Sequence, residues 1–189
     1  LVTGGAGYVG SHTVRELLDR GHRVVVFDNL QQGHRAAVPS AAEFVRGDLS
    51  DLSLLRQLFA SHRFAGILHF AANSLVGASM QDMFPYIGDN VTNALNLLKT
   101  AIEFKVGKFV LSSTANLFGN PERVPIDETV AIDPGSPYGE SKQIIERMLH
   151  WADVVHGLHS ACLRYFNAAG AHPDGSLGED HSPETHIIP

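Results

Sequence analysis

Tyr138 and Lys142 stand four residues apart in the run Pro137-Tyr-Gly-Glu-Ser-Lys142. On a helix that spacing places a phenol and an ammonium on one face. A free phenol titrates near ~10 and is a poor base at neutral pH. A cationic neighbour favours phenolate, which brings the group toward the range where it can take a proton from an alcohol. Thr114, closing the run Ser112-Ser113-Thr114, adds a hydroxyl that can bond the same alcohol. By itself, a Tyr and a Lys at this spacing is usually an exposed helix pair, so the chemistry requires a partner that accepts hydride.

A site for such a partner is written at the other end of the chain. Leu1-Val2-Thr3 reads as the tail of a buried strand, and Gly4-Gly-Ala-Gly7-Tyr8-Val9-Gly10 follows it directly. After Gly10 the sequence turns helical, with Val14, Leu17 and Leu18 on one face and Gly21 as a C-terminal stop. Glycines there permit a tight turn and let the backbone and the helix N-terminus approach a pyrophosphate. A second apolar strand, Arg23 to Phe27, ends in Asp28. An acid at that place accepts hydrogen bonds from an adenosine ribose diol and repels a 2′-phosphate, which predicts NAD rather than NADP. The paired motifs specify redox chemistry on an alcohol.

The intervening sequence alternates strands and helices. A polar loop from Asn29 to Ser40 leads to a strand at Glu43 to Arg46, closing at Gly47-Asp48-Leu49. A helix is expected from Asp51 to Ser61, a strand from Gly66 to Ala71 and a long helix from Pro85 to Phe104. A strand follows at Lys108 to Ser112, then a helix from Pro137 to His156 and a sixth strand from Leu158 to Phe166. Near-continuous apolar strands separated by helices predict an α/β fold with a doubly wound parallel sheet, covered on both faces. Residues 1–169 form the expected Rossmann-type NAD-binding domain. Residues 170–189, rich in Gly, Pro, His and acids, form the expected start of a smaller substrate-binding region. Ligands of such a sheet lie beyond the carboxyl ends of its strands. Asp28, Asp48, Ala72-Asn73-Ser74 and Ser112-Ser113-Thr114 all fall at such ends.

With 189 residues, of which 44% are apolar and 18% charged, the chain is long enough for one complete core. It opens inside a strand without Met and stops at Pro189 without a terminal element, so it reads as a fragment of a longer protein. A net charge of −6 without a basic cluster argues against nucleic acid or an anionic membrane surface as partner. No signal peptide or membrane-spanning run occurs, an absence that counts for little in a fragment, and the expected location is the cytoplasm. The single Cys162 lies in an apolar run and reads as a small core residue rather than a nucleophile. Eleven histidines lack the spacing of a metal site, so no metal is expected.

Several segments resemble the extended short-chain dehydrogenase/reductase family. They include Val2 to His12, Asp28-Asn-Leu30, Gly47-Asp-Leu49, His69 to Ala72, Leu75-Val-Gly77 and Asn90-Val91, followed by Ser112 to Thr114, Ser136 to Lys142 and Leu163 to Asn167. The segment Asn167 to Gly175 is most similar to the branch that inverts carbon 4 of UDP-hexoses. The resemblance implies that Gly4, Gly7, Tyr8, Val9 and Gly10 lie at the pyrophosphate. Asp28, Asn29, Leu30, Gln31, Gln32 and Gly33 would surround the adenosine ribose, with Asp48 and Leu49 at the adenine. Phe70, Ala71, Ala72, Ser74 and Asn90 would line the cofactor, while Tyr165 and Phe166 would reach the nicotinamide. Thr114, Tyr138 and Lys142 would touch the cofactor as well as carry the catalysis. Ser113, Thr114, Tyr138, Asn167, His186 and Ile187 would contact a UDP-sugar.

Ser74 stands where some members carry a Lys, implying a looser hold on NAD, and Phe118 replaces a more usual Tyr near the substrate. Ala115 and Asn116 replace the paired acids of dehydratases, which argues against loss of water. The implied activity is interconversion of UDP-glucose and UDP-galactose through a 4-keto sugar, with a homodimer built from the helices at Pro85 to Phe104 and Pro137 to His156. Alternatives are a UDP-sugar decarboxylase or dehydrogenase on the same scaffold, or a noncatalytic NAD-binding regulator.

Overall fold

The computed structural model describes residues 1–181. Six parallel strands form one sheet in the order β3-β2-β1-β4-β5-β6. They are β1 Val2–Thr3, β2 Val25–Asp28, β3 Glu43–Arg46, β4 Ile67–His69, β5 Lys108–Ser112 and β6 His159–Leu163. The helices are α1 Tyr8–Asp19, α2 Leu52–Ser61, the single-turn α3 Val76–Ser79, α4 Val91–Glu103 and α5 Pro137–His156. The chain winds outward from β1 to β3, then crosses back to β4 beside β1, where Val2 pairs with both Val26 and Leu68. Strand order reverses there, and this opens a crevice at the carboxyl ends of β1 and β4.

Alternation along β2 divides the core between two layers. Val25 and Phe27 pack with Leu55, Phe59, Leu97, Leu111 and Ile145 under α2, α4 and α5. Val24 and Val26 pack with Val2 and Val14 under α1. The sheet therefore has the expected double winding, and the sixth strand is where it departs from the sequence reading. β6 is shorter than the predicted run. Cys162 on it is only partly buried, and its thiol is pushed up to about 11 by burial and by Glu146. That is an unreactive thiol.

Two helix starts also differ. α1 begins at Tyr8, so Gly10 lies inside its first turn, and Gly21, at φ +80°, ends it as expected. The long helix after Pro85 opens with a π-helical stretch, Pro85–Asn90, before α4. Asn90 ends that stretch with its side chain turned inward, accepting from Asn73 N at 2.8 Å and donating to Asn73 O at 3.0 Å. Among the described residues no helix is long and apolar enough to cross a membrane.

Candidate active site

A cleft of about 610 Å³ occupies the crevice. Except for Leu30, Ser113 and Lys142, every described residue expected at the site lines it. His186 and Ile187 lie outside the described residues. No group of three or more metal-ligating side chains occurs among the described residues.

The glycine turn forms one end. Gly4 takes φ +73°, a conformation that side chains rarely adopt, and a Cβ on it would stand 2.4 Å from Ala71 N. A Cβ on Gly10 would stand 2.1 Å from Gly4 O, so α1 presses directly onto the turn. Gly7 caps α1 without a side-chain hydrogen bond, and no acidic residue occupies its first turn. The first amides of the helix therefore face the cleft without a side-chain acceptor, which suits an anion.

Asp28 holds this end together. Its Oδ2 accepts from Ala6 N at 3.0 Å and its Oδ1 from Leu30 N at 2.8 Å. Each oxygen keeps a lone pair for a ligand hydroxyl. Leu30, whose amide is tied to Asp28 and whose φ is +63°, turns away from the cleft instead of lining it. Asp48 accepts from Ser50 Oγ, Ser50 N and Asn29 Nδ2, and these bonds, led by those from Ser50, hold its carboxyl below the usual range.

At the opposite end α5 starts at Pro137, and Ser136 Oγ accepts from Gly139 N at 3.1 Å. Pro at the first position and Ser as cap are strong start signals. They place Tyr138 in the first turn, beside Thr114 at the end of β5. Period-two alternation carries Ser112 and Thr114 into the cleft and Ser113 to the other side. There the Ser113 hydroxyl donates to Glu146 Oε1 at 2.5 Å, and Glu146 pairs with Arg164. Ser113 is thus a structural residue, and Ser112, which the sequence reading passed over, is the one that lines the cleft and bonds the Tyr165 hydroxyl. The same alternation, applied to the sequence, would have found it. Tyr86, Asp89 and Asn93 also line the cleft without having been expected. They come from the π-helical opening and α4, whose rotation the sequence does not reveal.

Lys142 is fully enclosed beside the Tyr138 ring and does not itself line the cleft. Its Nζ lies 5.7 Å from the Tyr138 ring centroid and donates to Ser112 O at 2.9 Å. Burial pushes the ammonium down to about 8. Burial likewise pushes the Tyr138 phenol up to about 12, helped by Tyr165 and opposed by a hydrogen bond from Thr114. The ammonium therefore discharges before the phenol does, and the pair has no pH range of ammonium facing phenolate. In the protein alone desolvation outweighs the neighbouring ammonium, so the expected lowering of the phenol needs the positively charged nicotinamide as well as the lysine.

The buried lysine carries a stability signature. Its folded value of about 8 lies below the unfolded 10.5, so the unfolded chain binds more protons between those limits. Stability should rise with pH across that window and lose the gain as pH falls through 8. Lys142→Met should remove this slope and, at pH 7, stabilise the chain by about 2 kcal/mol after allowing for the lost bond to Ser112. Urea denaturation at pH 7 and pH 10 measures both, and an unchanged slope would contradict the assignment.

The region after β6 folds back over the glycine turn. Tyr8 Oη donates to Gly170 O at 2.5 Å, Arg15 pairs with Asp174 at 3.5 Å, and His34 Nε2 meets Asp180 O at 3.1 Å.

Comparison with known proteins places this geometry. The sequence pattern of the NAD dependent epimerase/dehydratase family matches residues 1–189. A UDP-glucose 4-epimerase of Lacticaseibacillus casei is 53% identical over 188 residues, covering 100% of this chain and 57% of that protein. The chain thus spans little more than half the length of such relatives. The crystal structure of UDP-glucose 4-epimerase from Brucella ovis in complex with NAD superposes with a TM-score of 0.96 at 42% identity, over 98% of this chain and 57% of that one. The enzyme from Bifidobacterium longum in complex with NAD+ and UDP gives 0.90 at 34% identity, over 95% and 56%. With the family's sequence pattern spanning residues 1–189 and relatives at 53% and 42% identity over nearly all of it, the chain belongs to the NAD dependent epimerase/dehydratase family.

Proposed function

We propose that this chain forms the NAD-binding half of an enzyme that epimerises UDP-hexoses at carbon 4. The observation that carries the reading is a buried phenol, bonded by Thr114 and packed beside Lys142, in the same cleft as the glycine turn and Asp28. The residues present fit NAD. Added Cβ atoms at Gly4, Gly10 and Gly33 would strike protein backbone within 3 Å, so only glycine allows the tight turn that brings the start of α1 to the cleft. The uncapped start of α1 suits a pyrophosphate, and Asp28 suits a ribose diol.

Bound NAD supplies an acceptor and then a donor of hydride at the sugar carbon. Tyr138 would take the proton from the 4-hydroxyl and, once the 4-keto sugar has turned over to present the other face of carbon 4 to the hydride, return it to the 4-oxygen. Thr114 fixes the hydroxyl's direction, and Asn167 lies where the nucleotide sugar would be gripped. Since Lys142 alone leaves the phenol near 12, the further lowering falls to the positive nicotinamide ring.

We assign residues 1–169 to the nucleotide and the region from 170 onward to the substrate, with the whole protein working in the cytoplasm. Trp151, Val154 and Val155 on α5 are 55%, 63% and 64% exposed and share a face, and Leu95 on α4 is 52% exposed. That apolar surface fits a homodimer, an arm that a one-copy mass in sedimentation would remove.

The full chain, incubated with UDP-galactose and no added cofactor, should form UDP-glucose without accumulating NADH. Steady release of NADH would indicate a dehydrogenase, carbon dioxide release from a UDP-sugar acid would indicate a decarboxylase, and NAD binding without turnover would indicate a regulator.

A further inference from the structure

Asn116 opens a short 3-10 turn, Ala115–Phe118, directly after Thr114. Three segments meet at it. Its backbone N–H donates to Thr114 Oγ1 at 3.1 Å, its side-chain Oδ1 accepts from the Ser136 hydroxyl, and its carbonyl accepts from Gly135 N at 3.4 Å. Ser136 in turn caps α5 through the Gly139 amide. The approach is so close that a Cβ on Gly139 would stand 2.7 Å from Asn116 Oδ1 and 2.9 Å from Asn116 O. Gly139 is the residue after Tyr138.

We propose that Asn116 is a positioning residue: it locks the first turn of α5, and with it the Tyr138 phenol, against the strand end that carries Thr114. The proposal rests on the epimerase reading. A serine cap stabilises a helix start by accepting from an amide, which leaves its own O–H free to point elsewhere. Here that proton is committed to Asn116, so the start of α5 is fixed relative to the Thr114 turn as well as capped. The backbone N–H of residue 116, which does not depend on its side chain, occupies a Thr114 lone pair, and the threonine O–H donates toward the phenol. This contact is the one that favours phenolate against burial. A misplacement of about 1 Å in such a pair costs on the order of 100-fold in rate.

The test uses the NAD-loaded full chain. Asn116→Ala and Ser136→Ala should each lower kcat by about 10- to 100-fold, with KM for UDP-galactose within about twofold. The double variant should be no worse than the weaker single one, and Ser136→Thr should restore most of the rate. Loosening the first turn of α5 lengthens the bond from the Thr114 hydroxyl to the phenol and so raises the phenol's value, and the rising limb of the kcat profile should move to higher pH. Multiplicative losses, a KM rise matching the fall in kcat, or an unmoved profile would overturn the proposal. Ultraviolet-difference titration of tyrosinate, read against Tyr138→Phe, measures the same shift without turnover. If the unaltered protein fails to interconvert UDP-sugars, the epimerase reading falls, and this titration still decides the role of Asn116.

Discussion

Tyr138→Phe is expected to lower epimerase turnover of the full chain by roughly two to four orders of magnitude while leaving bound NAD in place. The phenol is 9% exposed, so the substitution removes one oxygen from a packed ring and adds no void. What is lost is the group that exchanges a proton with the sugar, along with the acceptor for the Thr114 hydroxyl. With the phenol at about 12 in the protein alone, its base strength depends on positive charge brought beside it. The variant should accordingly lose kcat far more than it raises KM, since only one of the contacts proposed for the UDP-sugar is removed. Turnover of UDP-galactose alongside NAD content, measured on the same preparation, checks both halves. Undiminished kcat would refute the assignment of the base.

Gly10→Ala should weaken the hold on NAD roughly a hundredfold. The new methyl would lie 2.1 Å from Gly4 O and 2.9 Å from Gly4 C and Gly5 Cα, all main-chain atoms that cannot swing aside. Gly4 is itself fixed, its amide donating to Phe27 O at 3.0 Å and its Cα backed by Ala71. Relief requires α1 to move off the turn, which carries its N-terminal amides away from the pyrophosphate. Overpacking of this kind costs about 3 kcal/mol, which converts to roughly a hundredfold loss of NAD affinity. Gly77→Ala is the control, because nothing lies within 4 Å of a Cβ there. Calorimetric titration of NAD should separate the two variants, and equal affinities would show that the turn is not the binding element.

Much of this was legible in advance because it depends on local rules. Strand and helix periods gave the alternating α/β order, and the observed bounds of β3, β5 and α5 match the expected ones. Glycine spacing followed by Asp28 located the nucleotide end, and the i, i+4 pair located the chemistry. Two readings gave way to the structure. The expected sixth strand was judged from its apolar content, and the observed β6 stops at Leu163. Ser113 is implied as a substrate contact by the family resemblance, although alternation along β5 sends its side chain to Glu146.

By itself the sequence determined which groups are present and how far apart they stand along one element, since periodicity and capping act within a few residues. Tertiary structure alone decided that Lys142 is enclosed beside the Tyr138 ring on Ser112 O and that burial raises Tyr138 to about 12. It also decided that Asn116 joins the turns on either side of the cleft's floor. Desolvation and hydrogen-bond direction arise from packing among residues 20 to 30 positions apart, and no local pattern encodes them.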